Sequence, residues 1–229
     1  MRRWGLLLLA IVLQGCSDLS EGAGGVIELR IVAPSSKNIE VGQTIQLSAT
    51  ALDKDGNPVS TEITWQAPDT TLTVDAATGA ITGVFPGTGH VQAFAGSLAS
   101  SLMTFTVLAA ADTLVIVGDS VSTVPPGVSN TAPLVVQLRS LSPDAGLPSR
   151  PVIYTVTQPP DVGPHTVELP GGVLADTVLT GTDGAVSSVT LIRVNGTTQP
   201  DTAIVEVRAI RGSGTDVPGS GQRFIVLFQ

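Results

Sequence analysis

Short runs in which apolar and polar residues alternate recur along this chain and constrain its fold more than any other feature. In the first run, Ile27, Leu29 and Ile31 would share one face, and Glu28 and Arg30 the other. A period of two residues is the pattern of a half-buried β-strand. Gly, Pro, Asp and Asn, which favour turns, flank the runs. The sequence therefore predicts an all-β fold of short antiparallel strands.

The composition supports this fold class. Aromatic residues make up 3% of the 229 residues, whereas 25 are Gly and 16 are Pro. The β-branched residues Val, Thr and Ile are abundant and favour strands, and no long window shows helical periodicity. In the run 44–52, Ile45, Leu47, Ala49 and Ala51 are predicted to point inwards from one strand. The chain has a single cysteine, Cys16, so its stability must rest on apolar burial without a disulfide.

Residues 26–107 carry a series of short motifs. In chain order they are Val41-Gly42-Gln43-Thr44-Ile45-Gln46-Leu47, Asp55-Gly56-Asn57-Pro58-Val59, Thr64-Trp65, Val74-Asp75, Thr78-Gly79-Ala80-Ile81-Thr82-Gly83 and Pro86-Gly87-Thr88-Gly89. This order and spacing resemble the group 2 bacterial immunoglobulin-like domain, known from intimin-type adhesins and envelope proteins. We expect Trp65 to fill the space between two sheets, and Gly79 and Gly83 to occupy turn positions with positive φ.

Residues 112–229 contain a second set of runs, which is similar to the group 1, invasin-type immunoglobulin-like pattern. The matching segments are Pro151–Val156, the turn at Asp183-Gly184-Ala185, and Val205–Ala209. Residues 158–176, rich in Pro and Gly, depart from that pattern. The resemblances imply two tandem immunoglobulin-like β-sandwiches, at 26–108 and 112–229, that meet near Leu108–Asp112.

The N-terminus has the composition of an export signal. Arg2 and Arg3 precede an apolar run from Trp4 to Leu13. A helix that spans a membrane needs about twenty apolar residues, twice this number, so the pattern favours a cleaved signal peptide at residues 1–15. An ordinary secretory signal is the other alternative, but it needs no cysteine at the cleavage site.

The tetrad Leu13-Gln14-Gly15-Cys16 resembles the lipobox of bacterial lipoproteins. The resemblance implies cleavage between Gly15 and Cys16 and attachment of lipid, including fatty acyl chains such as palmitate, to the Cys16 thiol. Residues 16–25 would then be a flexible tether between the membrane and the fold. In similar lipoproteins an aspartate after the cysteine favours the inner membrane. Ser17 therefore favours the outer membrane or cell surface within the envelope, although Asp18 weakens this prediction.

The formal net charge is −8, and cleavage would make it two units more negative by removing Arg2 and Arg3. An acidic chain is a poor partner for nucleic acid or an anionic membrane surface, because both attract basic patches. The lipid on Cys16 is therefore the predicted membrane contact.

Residues suited to catalysis are scarce, so the sequence predicts neither an enzyme nor a cofactor site. The two histidines are 75 residues apart: His90 is predicted to point outwards from a strand, and His165 to lie in a loop. No GxSxG, P-loop or dinucleotide-binding motif is present. Oxygen ligands at alternate positions make Asp53, Asp55 and Asn57 the one calcium candidate. The glycine and the twelfth position do not fit a calcium loop, and a hairpin turn explains the segment equally well.

These observations predict a non-catalytic lipoprotein of the cell envelope, whose immunoglobulin-like domains serve as a spacer and as adhesion or binding modules. A structural accessory of a surface layer, secretion or transport assembly is one alternative. A polysaccharide-binding module is another, for which Trp65 and Tyr154, both expected inside, would leave few exposed aromatic rings. Residues 158–172 are the candidate loop for a protein or glycan partner, with disorder as the alternative. The sequence identifies neither binding residues nor oligomeric state.

Overall fold

The structure, a computed structural model, describes residues 25–161, 164–194 and 201–229. All the regular secondary structure within those residues is β-strand, which confirms the all-β prediction. The strands of the N-terminal half are β1 (Glu28–Val32), β2 (Asn38–Glu40), β3 (Thr44–Gln46), β4 (Ser48–Leu52), β5 (Pro58–Val59), β6 (Thr64–Gln66), β7 (Leu72–Val74), β8 (Ala80–Gly83), β9 (Gly87–Ala95), β10 (Leu98–Ala99) and β11 (Met103–Leu108).

The strands of the C-terminal half are β12 (Thr113–Ile116), β13 (Val121–Val124), β14 (Val136–Leu141), β15 (Asp144–Gly146), β16 (Pro151–Gln158), β17 (Val167–Glu168), β18 (Ala175–Leu179), β19 (Ala185–Val186), β20 (Ile192–Arg193), β21 (Thr202–Arg208) and β22 (Gln222–Phe228). In the described part of the chain, no helix is long and apolar enough to cross a membrane.

Strands β1 to β11 form three sheets around one hydrophobic cluster. The orders are β1-β4-β5, β10-β9-β11-β2 with β6 also paired to β9, and β3-β8-β7. β2 runs parallel to β11, and the other pairs are antiparallel. We call residues 26–108 the N-terminal unit. Its buried cluster consists of Val26, Leu29, Ile39, Leu47, Ala51, Trp65, Leu72, Ile81, Val91, Ala93, Ala95, Phe105 and Val107.

Strands β12 to β22 surround a second cluster. A five-stranded sheet, β13-β22-β21-β16-β18, lies with the sheet β12-β14-β15, which also pairs with β19, and with the pair β17-β20. We call residues 113–229 the C-terminal unit and residues 109–112 the connecting segment. The buried cluster consists of Ala111, Leu114, Val124, Leu134, Val136, Leu138, Leu147, Val152, Tyr154, Val156, Val167, Leu169, Val186, Val189, Leu191, Ala203, Val205, Val207, Ala209, Val217, Phe224, Val226 and Phe228.

The alternating runs predict most of these positions, with two exceptions in the N-terminal unit. Ile27 is 51% exposed because it lies before β1, where its N–H donates to the carbonyl of Leu52. The run 44–52 is two strands rather than one, since β3 pairs with β8 and β4 pairs with β1. The chain changes sheets at the buried Leu47, and Ile45 and Ala49 on either side are only partly buried.

Trp65 is buried between the sheets, as predicted, and the turn after β7 closes over it. The Asp75 carboxylate accepts the N–H groups of Thr78 (2.8 Å) and Ala77 (3.0 Å), and the N–H of Gly79 donates to the Asp75 carbonyl (2.9 Å). The N–H of Thr78 holds the pKa of Asp75 below its ordinary value. This turn therefore forms the lid of the N-terminal core.

Glycine is needed in this region for two different reasons. Gly79 has φ +77°, as predicted, and a Cβ there would lie 2.6 Å from the Trp65 ring. The prediction of positive φ at Gly83 is wrong, because Gly83 lies within β8. A Cβ at Gly83 would lie 2.6 Å from the Glu40 carbonyl oxygen, so this position needs glycine for close approach of the backbones.

Tyr154 has the equivalent central position in the C-terminal unit. Its side chain is fully buried in β16, as expected from the sequence, and its hydroxyl donates to the carbonyl of Leu134 (3.0 Å). Burial raises the pKa of this phenol well above its ordinary value. A buried phenol needs such a partner, because an unsatisfied polar group inside a core costs about 1–3 kcal/mol.

The Trp65–Gly79 contact predicts unequal effects of two matched substitutions. Gly56 also has positive φ (+80°), but nothing lies within 4 Å of a Cβ there. Gly56→Ala should therefore cost only the conformational strain, about 1–2 kcal/mol. Gly79→Ala adds the overlap with Trp65 and should cost about 2–5 kcal/mol. Urea unfolding measures the free energy of unfolding of both variants. Equal decreases for Gly56→Ala and Gly79→Ala would contradict the Trp65–Gly79 contact.

Candidate functional site

The predicted lipidation site lies outside the described residues. The same is true of the signal peptide at residues 1–15, the cleavage site at Gly15 and Cys16, and the tether apart from its last residue, Gly25. The candidates that the structure does place are the two histidines, the Asp53 turn, the 158–172 segment and the open grooves on the surface.

His90 lies in β9 with its side chain pointing outwards and 37% exposed, as predicted. Its ring Nδ1 is 3.0 Å from Asp69 Oδ2, a pairing that nothing in the sequence spacing indicates. The same carboxylate accepts the N–H groups of His90 (2.9 Å) and Thr71 (3.2 Å). Within the described residues, the His90 ring makes no other hydrogen bond. The pair thus fastens the segment before β7 to β9, and no nucleophile is hydrogen-bonded to the imidazole.

Part of the 158–172 segment is packed into the C-terminal unit. Val167 and Leu169 are fully buried in the C-terminal cluster, and β17 pairs with β20. These two residues of the proposed binding loop therefore belong to the core. His165 lies in a loop, as predicted, with Nε2 3.2 Å from Asp161 Oδ1.

The calcium candidate forms the predicted hairpin turn between β4 and β5. Asp53 Oδ1 accepts the N–H groups of Asp55 (2.8 Å) and Asn57 (2.9 Å), and the Asp55 carboxylate pairs with Lys54 (2.9 Å). The N–H of Asn57 holds the pKa of Asp53 below its ordinary value. Among residues 25–161, 164–194 and 201–229, no three His, Cys, Asp or Glu side chains form a group able to hold a metal ion. The carboxylate oxygens of this turn already stabilise the backbone.

An open groove of about 620 Å³ runs beside β6 and β7. Its floor includes the buried Trp65 and Leu72, and Phe85 stands at its rim with 60% of its surface exposed. Gln66 and Thr73 also line the groove and supply polar groups. Trp65 and Tyr154 are inside, as expected, but Phe85 shows that an aromatic face is nevertheless available. Phe85 follows Gly83-Val84 and lies outside any alternating run, so the sequence does not indicate that its ring is exposed.

Comparison with known proteins identifies the first unit. Residues 29–104 match the sequence profile of the bacterial Ig-like domain (group 2), which confirms the predicted resemblance for this part of the chain. No curated protein matches the chain.

Several solved structures are similar to the chain at low identity. The Yersinia pseudotuberculosis adhesin InvE is 18% identical with a TM-score of 0.42, over 91% of this chain and 61% of the adhesin, so the chain spans less than two thirds of it. Domains 4 and 5 of the S-layer protein SbsC are 18% identical with a TM-score of 0.34, over 89% and 98%. The Clostridium thermocellum CbhA fibronectin(III)-like modules are 18% identical with a TM-score of 0.39, over 87% and 92%. Likeness at this level does not extend to function.

The Asp53 turn is complete without a metal, so we expect calcium to leave thermal unfolding unchanged. A calcium site filled at 100 times its Kd would add about 2.7 kcal/mol of stability. The unfolding midpoint should instead be the same in excess Ca²⁺ and in chelator. Asp53→Ala removes the acceptor of two N–H groups and should lower the midpoint equally in both buffers. A rise with Ca²⁺ that Asp53→Ala abolishes would contradict this interpretation.

Proposed function

We propose that the protein is a non-catalytic lipoprotein of the cell envelope, anchored at a membrane, whose domains serve as a spacer or as binding modules. Its two immunoglobulin-like domains would be residues 26–108 and 112–229, the second of the group 1, invasin type. The lipid on Cys16 would provide the membrane contact, with the outer membrane or the cell surface as the site. Protein or glycan partners at that surface are the expected ligands.

The observation that carries the proposal is the position of Cys16 relative to the fold. The tetrad Leu13-Gln14-Gly15-Cys16 precedes the first buried core residue, Val26, by ten positions. Ten residues reach at most about 36 Å even when fully extended. A lipid at Cys16 would therefore keep the N-terminal unit close to the bilayer, and the C-terminal unit would be the part displayed.

The roles of the polar residues support a function without chemistry. His90 and Asp69 fasten a loop to a strand, and Asp53 and Asp75 cap turns through backbone N–H groups. Each of these groups has a structural partner that explains its place. Two acyl chains at one thiol give firm attachment, since each buried methylene contributes about 0.8 kcal/mol.

Substitution of the predicted acceptor thiol tests the proposal. Cys16→Ser should abolish incorporation of radiolabelled palmitate and move the protein from the membrane fraction to the soluble fraction. Ser17→Ala, the matched control, keeps the thiol and should retain both label and membrane attachment. An unlabelled wild-type protein, or a Cys16→Ser protein that remains bound to the membrane, would contradict the proposal.

A second candidate function, polysaccharide binding, is favoured by the groove beside Phe85. The exposed ring offers a flat apolar face on which a sugar ring can stack, and Gln66 and Thr73 provide hydrogen-bonding groups for its hydroxyls. This arrangement of one apolar face with a few polar groups is common in small-molecule sites.

Glycan arrays probed with the full chain test this second function. If the groove binds sugar, Phe85→Ala should weaken the signal at least about fivefold, equivalent to about 1 kcal/mol for loss of an aromatic contact. Leu102, an exposed apolar residue of the same unit, provides the control, and Leu102→Ala should leave binding unchanged. Binding that survives Phe85→Ala, or absence of binding by the wild-type chain, excludes the groove.

A further inference from the structure

The connecting segment between the two units is short and held at both ends. It consists of residues 109–112, none of them Gly, between β11 and β12. Ala111 is buried in the C-terminal cluster, and Ala109 packs against it. On the other side, the carbonyl of Leu108 accepts the N–H of Val41 (2.9 Å). Such a segment leaves little freedom for independent motion of the units.

Arg150 joins both units to this segment. Its Nη1 donates to Glu40 Oε1 across the boundary between the units (2.7 Å), and its Nη2 donates to the carbonyl of Ala109 (2.9 Å). The Glu40 side chain is 6% exposed and that of Arg150 is 17% exposed. The backbone of Arg150 is itself fixed by Thr180, through the Thr180 N–H (2.9 Å) and the Thr180 hydroxyl (3.0 Å).

A second contact crosses the boundary next to the first. Gln43 Nε2 donates to the carbonyl of Gly212 in the loop before β22 (2.9 Å), and Gln43 Oε1 accepts the N–H of Glu40 (2.9 Å). A Cβ at Gly212 would lie 2.6 Å from Gln43 Oε1, so a larger residue there would have to displace the end of the Gln43 side chain. The loop that carries Gly212 is thereby tied to the N-terminal unit.

The neighbouring Arg211 fastens the connecting segment to the same loop. Its Nε donates to the carbonyl of Ala111 (2.8 Å), and its guanidinium pairs with the Asp112 carboxylate (3.4 Å). That carboxylate also accepts the N–H of Leu141 (2.8 Å). Two of these contacts are ion pairs, Arg150–Glu40 and Arg211–Asp112.

The nearly buried Arg150–Glu40 pair favours one geometry, because a tilt that kept Glu40 buried while breaking the pair would leave its carboxylate without a counterion. Relative motion of two domains is the ordinary expectation unless their interface is large and hydrophobic. Here the ion pair, the hydrogen bonds and the short connecting segment would restrict that motion instead. We propose that Glu40, Gln43, Arg150 and Gly212 form a rigid joint that fixes the angle between the N-terminal and C-terminal units. The joint would transmit the orientation of the membrane-proximal unit to the displayed unit, and it does not depend on the nature of the anchor.

Pulsed electron paramagnetic resonance measures this rigidity directly. The full chain with Cys16→Ser in detergent has no thiol, so Thr73→Cys and Thr177→Cys place one spin label on an exposed position of each unit. The joint predicts one narrow distance distribution between the labels. A broad distance distribution in this labelled chain, in which the residues of the joint are intact, would by itself overturn the proposal.

Removal of one partner should loosen the joint. Glu40→Gln leaves the Arg150 charge without its counterion and should widen the distance distribution at least about twofold, because inter-domain motion is then released. Glu28→Gln is the matched control, since it makes the same change in the exposed Glu28–Arg30 pair, and the width should not change.

Gly212→Ala provides a second variant that alters no charge. Its methyl group would displace the end of the Gln43 side chain and should widen the distribution less than Glu40→Gln does. Near-ultraviolet circular dichroism of each variant establishes that both cores remain folded. If Glu40→Gln folds and its distance distribution is as narrow as that of the wild type, the proposal is overturned. If Glu40→Gln does not fold, a wild-type width of the distribution in Gly212→Ala overturns it instead.

Discussion

Apolar burial between sheets, without any covalent cross-link, is the constraint on which this structure depends. Each long strand of the C-terminal unit sends alternate residues into one cluster, as Ala203, Val205 and Val207 do in β21. Aromatic side chains are few, so small β-branched residues must pack closely and the backbones must approach one another. At Gly146 a Cβ would lie 1.7 Å from the Asp183 carbonyl oxygen, a separation that only glycine permits. Glycine at Gly146 and at Gly83 is thus a requirement of the packing.

The polar residues serve the same end. Asp53 and Asp75 accept backbone N–H groups in the turns after β4 and β7, and Asp69 accepts the N–H of His90 within β9. Because the pKa values of Asp53 and Asp75 are lowered in the fold, these carboxylates contribute stability above about pH 4. That contribution is lost as the pH falls through the lowered pKa values.

Much of the architecture could be predicted from period-two alternation, since burial on one face of a strand imposes that pattern. The buried residues of β14, β16, β21 and β22 follow from it directly. Alternation does not show where a chain changes sheets, so the division of 44–52 at Leu47 was missed. The buried Val167 and Leu169 were missed as well, because Pro and Gly around them indicate a loop. Position 83 needs glycine because the backbone of Glu40, 43 positions earlier in the sequence, lies against it. No local sequence pattern indicates such a contact.

The candidate site was less predictable than the fold. Asp69 with His90, and Glu40 with Arg150, join residues that are 21 and 110 positions apart, and neither spacing is a motif. Phe85 is exposed because it lies in the bend before β9, a position that hydrophobicity alone would assign to the core. Motifs in the sequence therefore located the first unit, whereas contacts between distant segments define its surface and its junction with the second unit.

We propose that a lipid on the Cys16 thiol anchors two β-sandwich domains at a membrane. Intact-mass spectrometry of the protein extracted from bacterial membranes tests it most directly. We expect a chain that begins at Cys16 and carries the additional mass of acyl chains on that residue. A chain that retains Arg2 and Arg3, or one that begins elsewhere and has a free thiol, would contradict it.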